Sequence, residues 1–246
     1  MNYKTGGQSK VSQLSISHYR KRFLMARGVI KSVPPEGKSE DPLNLVYSAA
    51  LHLLVRAKYL FLATLTENKK KNAYTCYVLV RAYFETSMAL GFLAIKVAKK
   101  TETKDFDGVW KLSKRILLGG KHFPSDEYLR KVGMERVSAI NVYDFLDTVD
   151  KNLSSKNKDK SEAPFAPHRE MYDTVLSEFG HPNHLGLAIC SSLKKDLEKN
   201  LYEEVNLDKA MGEQDEGNFL IYLRWGSAVF FHYWDELGSV LGKYGF

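Results

Sequence analysis

From Ala73 to Val97 the chain is apolar almost throughout, and a charged pair, Arg81 and Glu85, sits near the middle of that run. A stretch this long and this apolar admits few solutions: a core helix wrapped by others, or a membrane span. Near the centre of a span each charge would cost about 2.5–3.5 kcal/mol, so the expectation is a core helix and no membrane span. Inside a protein the two ions carry a penalty of their own unless both are paired and hydrogen-bonded. Four residues apart they share a helical face, but Arg preceding Glu is the weaker order for such a pair. A partner from another segment is therefore required.

The remaining apolar runs repeat the helical theme. Residues 43–66 are apolar nearly all round and read as a second central helix, followed by a polar connector from Glu67 to Asn72. Helices are expected at about 106–118, 125–150, 168–180 and 218–242. A polar loop is expected at about 151–166. Residues 185–200 read either as a helix or as a segment opening with a short extended piece at Leu187–Ser191, and 200–217 as acidic and irregular. With 246 residues, 44% of them hydrophobic and only seven prolines, one large helical domain is favoured over two small ones or a turn-rich sandwich. The fold class is all-α, a multi-helix bundle. Two cysteines, Cys76 and Cys190, give neither a disulfide framework nor a zinc spacing, which fits a reducing, cytoplasmic setting.

The formal charge of +7 has one location. Residues 1–38 hold Lys4, Lys10, Arg20, Lys21, Arg22, Arg27, Lys31 and Lys38 against the single acid Glu36, and the rest of the chain is balanced. The Pro34-Pro35-Glu36-Gly37 break sets this part off, which predicts a flexible basic arm and linker over 1–42 and a helical domain over 43–246. In the arm Tyr19 and Phe23 flank Arg20, Lys21 and Arg22, a composition that can neutralise phosphates while stacking on bases. A peripheral helix, or a start resembling an organellar transit peptide, would account for the same residues.

A second polar island lies downstream, Tyr172 followed by Ser177-Glu178-Phe179-Gly180-His181-Pro182-Asn183-His184. It offers hydroxyls, a carboxylate, an amide and two imidazoles as partners for Arg81 and Glu85. His181 falls at an expected helix C-terminus, where the carbonyl dipole favours the imidazolium and suits a general acid. Two readings stay open, a hydrogen-bond network that fixes helix register and a catalytic or ligand site. Glu178-x-x-His181 has the spacing of a di-iron half-site, but no second Glu-x-x-His occurs, so neither metal nor cofactor is expected.

Arg81-x-x-x-Glu85, followed by Tyr172, Ser177, Glu178, His181, Pro182 and Asn183, resembles a group of mostly uncharacterised prokaryotic helical proteins of the HEPN-like type over roughly residues 43–200. The resemblance implies a dimeric helical fold and, for many members, metal-independent ribonuclease activity in toxin–antitoxin and phage-defence systems. The family's ribonuclease signature is an Arg followed after four to six residues by a His. This chain meets that spacing at Arg115 and His122, where Gly119 and Gly120 interrupt it. The resemblance therefore directs attention to His181, Arg81 and Glu85 as catalytic candidates, with Tyr172, Glu178, Asn183, His184 and the arm cations Arg20, Lys21 and Arg22 as binding candidates. RNA and a second copy of the chain are the implied partners. The alternative is a non-catalytic binding or scaffold protein with a structural cluster.

Overall fold

A computed structural model describes residues 15–26, 41–70, 72–119, 127, 137–156, 168–177, 193–196, 201–204 and 218–246. In chain order these form α1 (Ile16–Met25), α2 (Pro42–Lys69), α3 (Ala73–Glu102), α4 (Phe106–Leu118), α5 (Val142–Lys156), α6 (His168–Met171) continued by a π-helical turn (Tyr172–Leu176), β1 (Leu193–Asp196), β2 (Leu201–Glu204) and α7 (Asn218–Gly242). The architecture is all-α, with one small hairpin among the described residues.

Side chains with local carboxylates or amides open the helices. Asp41 accepts from the Leu43 N–H ahead of α2, where Pro42 occupies the first helical position and its missing donor costs nothing. Asn72 accepts from the Thr75 N–H and starts α3. Asp105 accepts from the Gly108 N–H while pairing with Lys100 at 2.6 Å, which fixes the turn between α3 and α4. That turn passes through Lys104 at φ 56°.

The long apolar run is the central helix. α3 packs against α2, α4, α5, the α6 and π-helical segment, and α7. α7 runs parallel to it: Phe219 meets Tyr77, Ser227 bonds the Tyr83 hydroxyl at 2.8 Å, and Tyr233 lies over Gly91. At Gly91 a Cβ would stand 2.7 Å from Val149 and 2.8 Å from the Tyr233 ring, so α3, α5 and α7 approach there only because the side chain is missing. The fully buried Tyr83 hydroxyl is satisfied by Ser227, which in turn donates to the Leu223 carbonyl.

Several expectations need correcting. The first concerns the arm: Ile16–Met25 is a helix docked on the body, with Tyr19 1% and Phe23 0% exposed. Phe23 sits among Phe61, Tyr83, Phe230 and Phe231 at centroid distances of 4.7 to 6.3 Å. Burying rings of this size contributes about 1.5–3 kcal/mol each, which outweighs what the basic composition suggested. The boundary at 42 therefore cuts through the core. The second concerns the helix expected at 125–150, whose described counterpart is Val142–Lys156, started by Asn141 accepting from the Tyr143 N–H. The expected loop at 151–166 loses 151–156 to that helix, and 157–167 lie outside the described residues. The third is the hairpin: Leu201–Glu204, within the stretch read as irregular, pairs antiparallel with Leu193–Asp196 and sets Lys194 opposite Glu203. Leu187–Ser191 lie outside the described residues.

Candidate functional site

Arg81 and Glu85 project from α3 toward the π-helical turn. The Arg81 Nε donates to Glu85 Oε1 at 3.1 Å, its Nη2 to the Tyr172 hydroxyl at 3.1 Å, and its Nη1 to the Ser177 carbonyl at 3.4 Å. The Tyr172 hydroxyl donates its own hydrogen to Glu85 Oε1 at 2.6 Å. Each member of the triad thus touches both others, and the partner demanded by the sequence comes from the expected segment. The burial does not match: the Arg81 and Glu85 side chains are 23% and 32% exposed, so water reaches the cluster.

The environment sets protonation. Burial pushes the Tyr172 phenol up, and its bond to the Glu85 carboxylate adds to this, to about 12, with the Arg81 charge opposing. At neutral pH Tyr172 is a donor and not a phenolate. For Arg81 burial favours the neutral form, but bonds to Tyr172 and Glu85 more than offset it and the pKa rises.

The π-helical turn is what aims Tyr172 and Ser177. The Ser177 N–H reaches back five residues to the Tyr172 carbonyl at 2.8 Å, and the Ser177 hydroxyl to the Asp173 carbonyl at 2.7 Å. Such turns are rare in helices and are frequent at functional sites. The Ser177 carbonyl is left for Arg81 at the point where the chain leaves the described helix.

A second anchor holds the other end of the segment. Asp150 of α5 accepts the His168 N–H at 2.9 Å, the Arg169 N–H at 3.1 Å and the His168 Nδ1 at 2.6 Å. His168 is 2% exposed, with its ring 5.9 Å from that of Phe84. Burial raises the Asp150 pKa, but the bonds from His168 and Arg169 outweigh it and leave the carboxyl below its ordinary value. Arg169 adds a fork to Asp147 at 2.8 and 2.9 Å and lies 4.6 Å over the Tyr143 ring, which meets Tyr172 edge-on at 6.2 Å. Sequence reasoning missed Asp150 and His168. An Asp in mid-helix and a His after Pro167 become partners only once α5 and α6 are packed together.

The expected site residues divide three ways. Arg81, Glu85 and Tyr172 come together. Glu178, His181, Asn183 and His184 lie outside the described residues, as does His122. Arg20, Lys21 and Arg22 belong to α1, on another side of the molecule: Tyr83, which faces Phe23, points about 200° around α3 from Arg81. Arg20 and Lys21 are exposed, while Arg22 stacks 4.2 Å over Phe231 and pairs with Asp235 at 2.7 Å, so one of the three expected binding cations is already neutralised.

Among the described residues no group of three His, Cys, Asp or Glu side chains converges as a metal site would. Two helices, α2 and α3, are long and apolar enough to cross a membrane, a property that core helices share. The buried Cys76 thiol is pushed up to about 11 by burial and by the Glu67 charge, which makes it a poor nucleophile. No family model, curated protein or solved structure compared with the chain matches it.

Proposed function

We propose that the chain is a HEPN-like, cytoplasmic, homodimeric effector acting on RNA. Its activity is that of a metal-independent endoribonuclease in prokaryotic defence or toxin–antitoxin biology. In it Arg81, Glu85 and Tyr172 hold the segment that carries Glu178, His181, Asn183 and His184. The observation behind this reading is the convergence of Arg81 and Glu85 on Tyr172 and the Ser177 carbonyl, immediately before Glu178. A network of this kind fixes where the following residues begin, which is what a positioned proton-transfer group needs.

In this reading the ribose 2′-hydroxyl gives its proton to water as its oxygen attacks the adjacent phosphorus, and the His181 imidazolium, as general acid, gives a proton to the departing 5′-oxygen, leaving a 2′,3′-cyclic phosphate. Arg81 has five N–H donors, three of them engaged within the protein, and the remaining two are able to meet phosphate oxygens. Glu85 and Tyr172 position the guanidinium.

A second reading, a non-catalytic binding or scaffold protein, is favoured by one fact: the Arg81 charge is already balanced by Glu85. Purified protein incubated with structured and unstructured RNA in chelator separates the two. The catalytic reading expects cyclic-phosphate ends and a rate reduced by about 10²–10⁴ in His181→Ala. Undiminished cleavage by His181→Ala removes that residue from the mechanism, and no cleavage of any RNA by wild type leaves the scaffold role.

A further inference from the structure

α2 has a packed side and an open one. On the open side His52, Val55, Arg56 and Tyr59 recur at i, i+3, i+4 and i+7, one stripe of the helix. All four face solvent, Val55 at 57% and Tyr59 at 72%.

The polar members of the stripe are held. The Arg56 Nε donates to the Thr86 hydroxyl at 3.1 Å, and that hydroxyl donates to the Ala82 carbonyl at 2.7 Å, so the guanidinium is tethered at one nitrogen, and its other four N–H groups make no hydrogen bond seen among the described residues. The His52 Nδ1 lies 2.8 Å from the Ser48 carbonyl. A carbonyl can only accept, so Nδ1 carries the hydrogen and Nε2 is the outward nitrogen.

Arg56, like Arg115 with the Ser138 carbonyl, meets a neutral oxygen, whereas several other cations meet carboxylates. Arg22 has Asp235, Lys70 has Glu67, Lys100 has Asp105, Lys111 has Asp107, and Arg169 has Asp147. Among the described residues Arg56 has a hydroxyl and no carboxylate. A tethered cation with no carboxylate partner among the described residues, one turn from a largely exposed aromatic ring, matches what a single strand offers, a phosphate and a base face at short spacing. An apolar protein surface seated here would strand the Arg56 charge, at a cost it could not recover.

We propose that the His52, Val55, Arg56 and Tyr59 face of α2 binds single-stranded nucleic acid, Arg56 meeting a phosphate, Tyr59 stacking on a base, and His52 Nε2 accepting from a base or ribose donor. The inference deepens the proposed function, on which it rests for the identity of the strand as RNA. It moves the main contact from the basic N-terminus to a rigid helix of the body.

The test measures binding, not cleavage, on the full chain. Fluorescence anisotropy is followed with 2′-O-methyl oligo-U, which cannot undergo 2′-hydroxyl attack, and with oligo-dT, each about 15 nucleotides long to cover the known range of site sizes. Tyr59→Ala is expected to weaken binding about five- to hundredfold, the range found for lost base stacking. Arg56→Gln is expected to flatten the dependence of log affinity on log salt by about 0.7, with Arg56→Lys retaining it. The two oligonucleotides together separate recognition of the shared phosphate and base from recognition of the sugar. Unchanged affinity and salt dependence in both variants overturns the proposal, as does a wild type that binds neither oligonucleotide. Conversion of a wild-type dimer to monomer by Tyr59→Ala in sedimentation would assign the face to a second copy instead, and would also overturn it. His181→Ala should bind as wild type does, so intact binding with no cleavage of RNA by wild type, or with undiminished cleavage by His181→Ala, refutes the catalytic reading alone.

Discussion

Asp150 gathers three donors, two backbone N–H groups and the His168 imidazole, onto one carboxylate. Its folded pKa is therefore depressed, and a depressed carboxylate stabilises the fold fully above its unfolded pKa of about 3.9 and loses that contribution as pH falls through the folded value. Urea unfolding followed from pH 6 downward should show wild-type stability falling below about pH 4 more steeply than that of Asp150→Asn, which has no proton to take up. Parallel curves would remove Asp150 from the acid response. The Arg81 and Glu85 pair was legible at this scale because two charges in an apolar run demand a partner, and Tyr172 lies in the segment named for it. Their residual exposure was not legible, since it depends on how closely neighbouring elements shut over a helix face. His168 escaped notice for a related reason: only the fold brings it to Asp150.

The apolar runs of α2, α3, α4 and α7 located those elements to within a few residues, because a helix that must bury most of its surface leaves a long unbroken signal. Shorter elements carried less. The strands are four residues each, too brief for alternation to register, and the π-helical turn at Tyr172–Leu176 has no periodicity distinct from that of the helix before it. Packing between elements can be probed at glycine. Gly91→Ala brings a methyl against Val149 and Tyr233, an overpacking cost of about 1–3 kcal/mol that exceeds the gain of about 1 kcal/mol in helix propensity. Gly238, on the exposed side of α7 with no atom within 4 Å of a built Cβ, keeps only the gain. Thermal melts should therefore move down for Gly91→Ala and up for Gly238→Ala; equal shifts would contradict the close approach of α3, α5 and α7.

For the whole molecule, charge and packing gave opposite answers about the N-terminus. Net charge singled out residues 1–38 as a separate unit, yet Tyr19 and Phe23 close the aromatic core over α2, α3 and α7. Charge is a surface property and says little about which aromatic rings among the cations turn inward. Deleting this region thus removes core as well as charge, and lost nucleic-acid binding in such a truncation would not by itself place the site there. Arg81, Glu85 and Tyr172 clamp one segment onto α3, and on this geometry their contribution is local to it. Hydrogen exchange on Glu85→Ala tests it directly. The substitution removes the acceptor for Tyr172 and the counterion of Arg81 at a site partly open to water, so the expected loss is about 1–2 kcal/mol, confined to the clamped segment. Peptides covering 168–177 should exchange faster than in wild type, with those covering α7 unchanged; unaltered protection of 168–177, or an equal loss across α7, would contradict the claim.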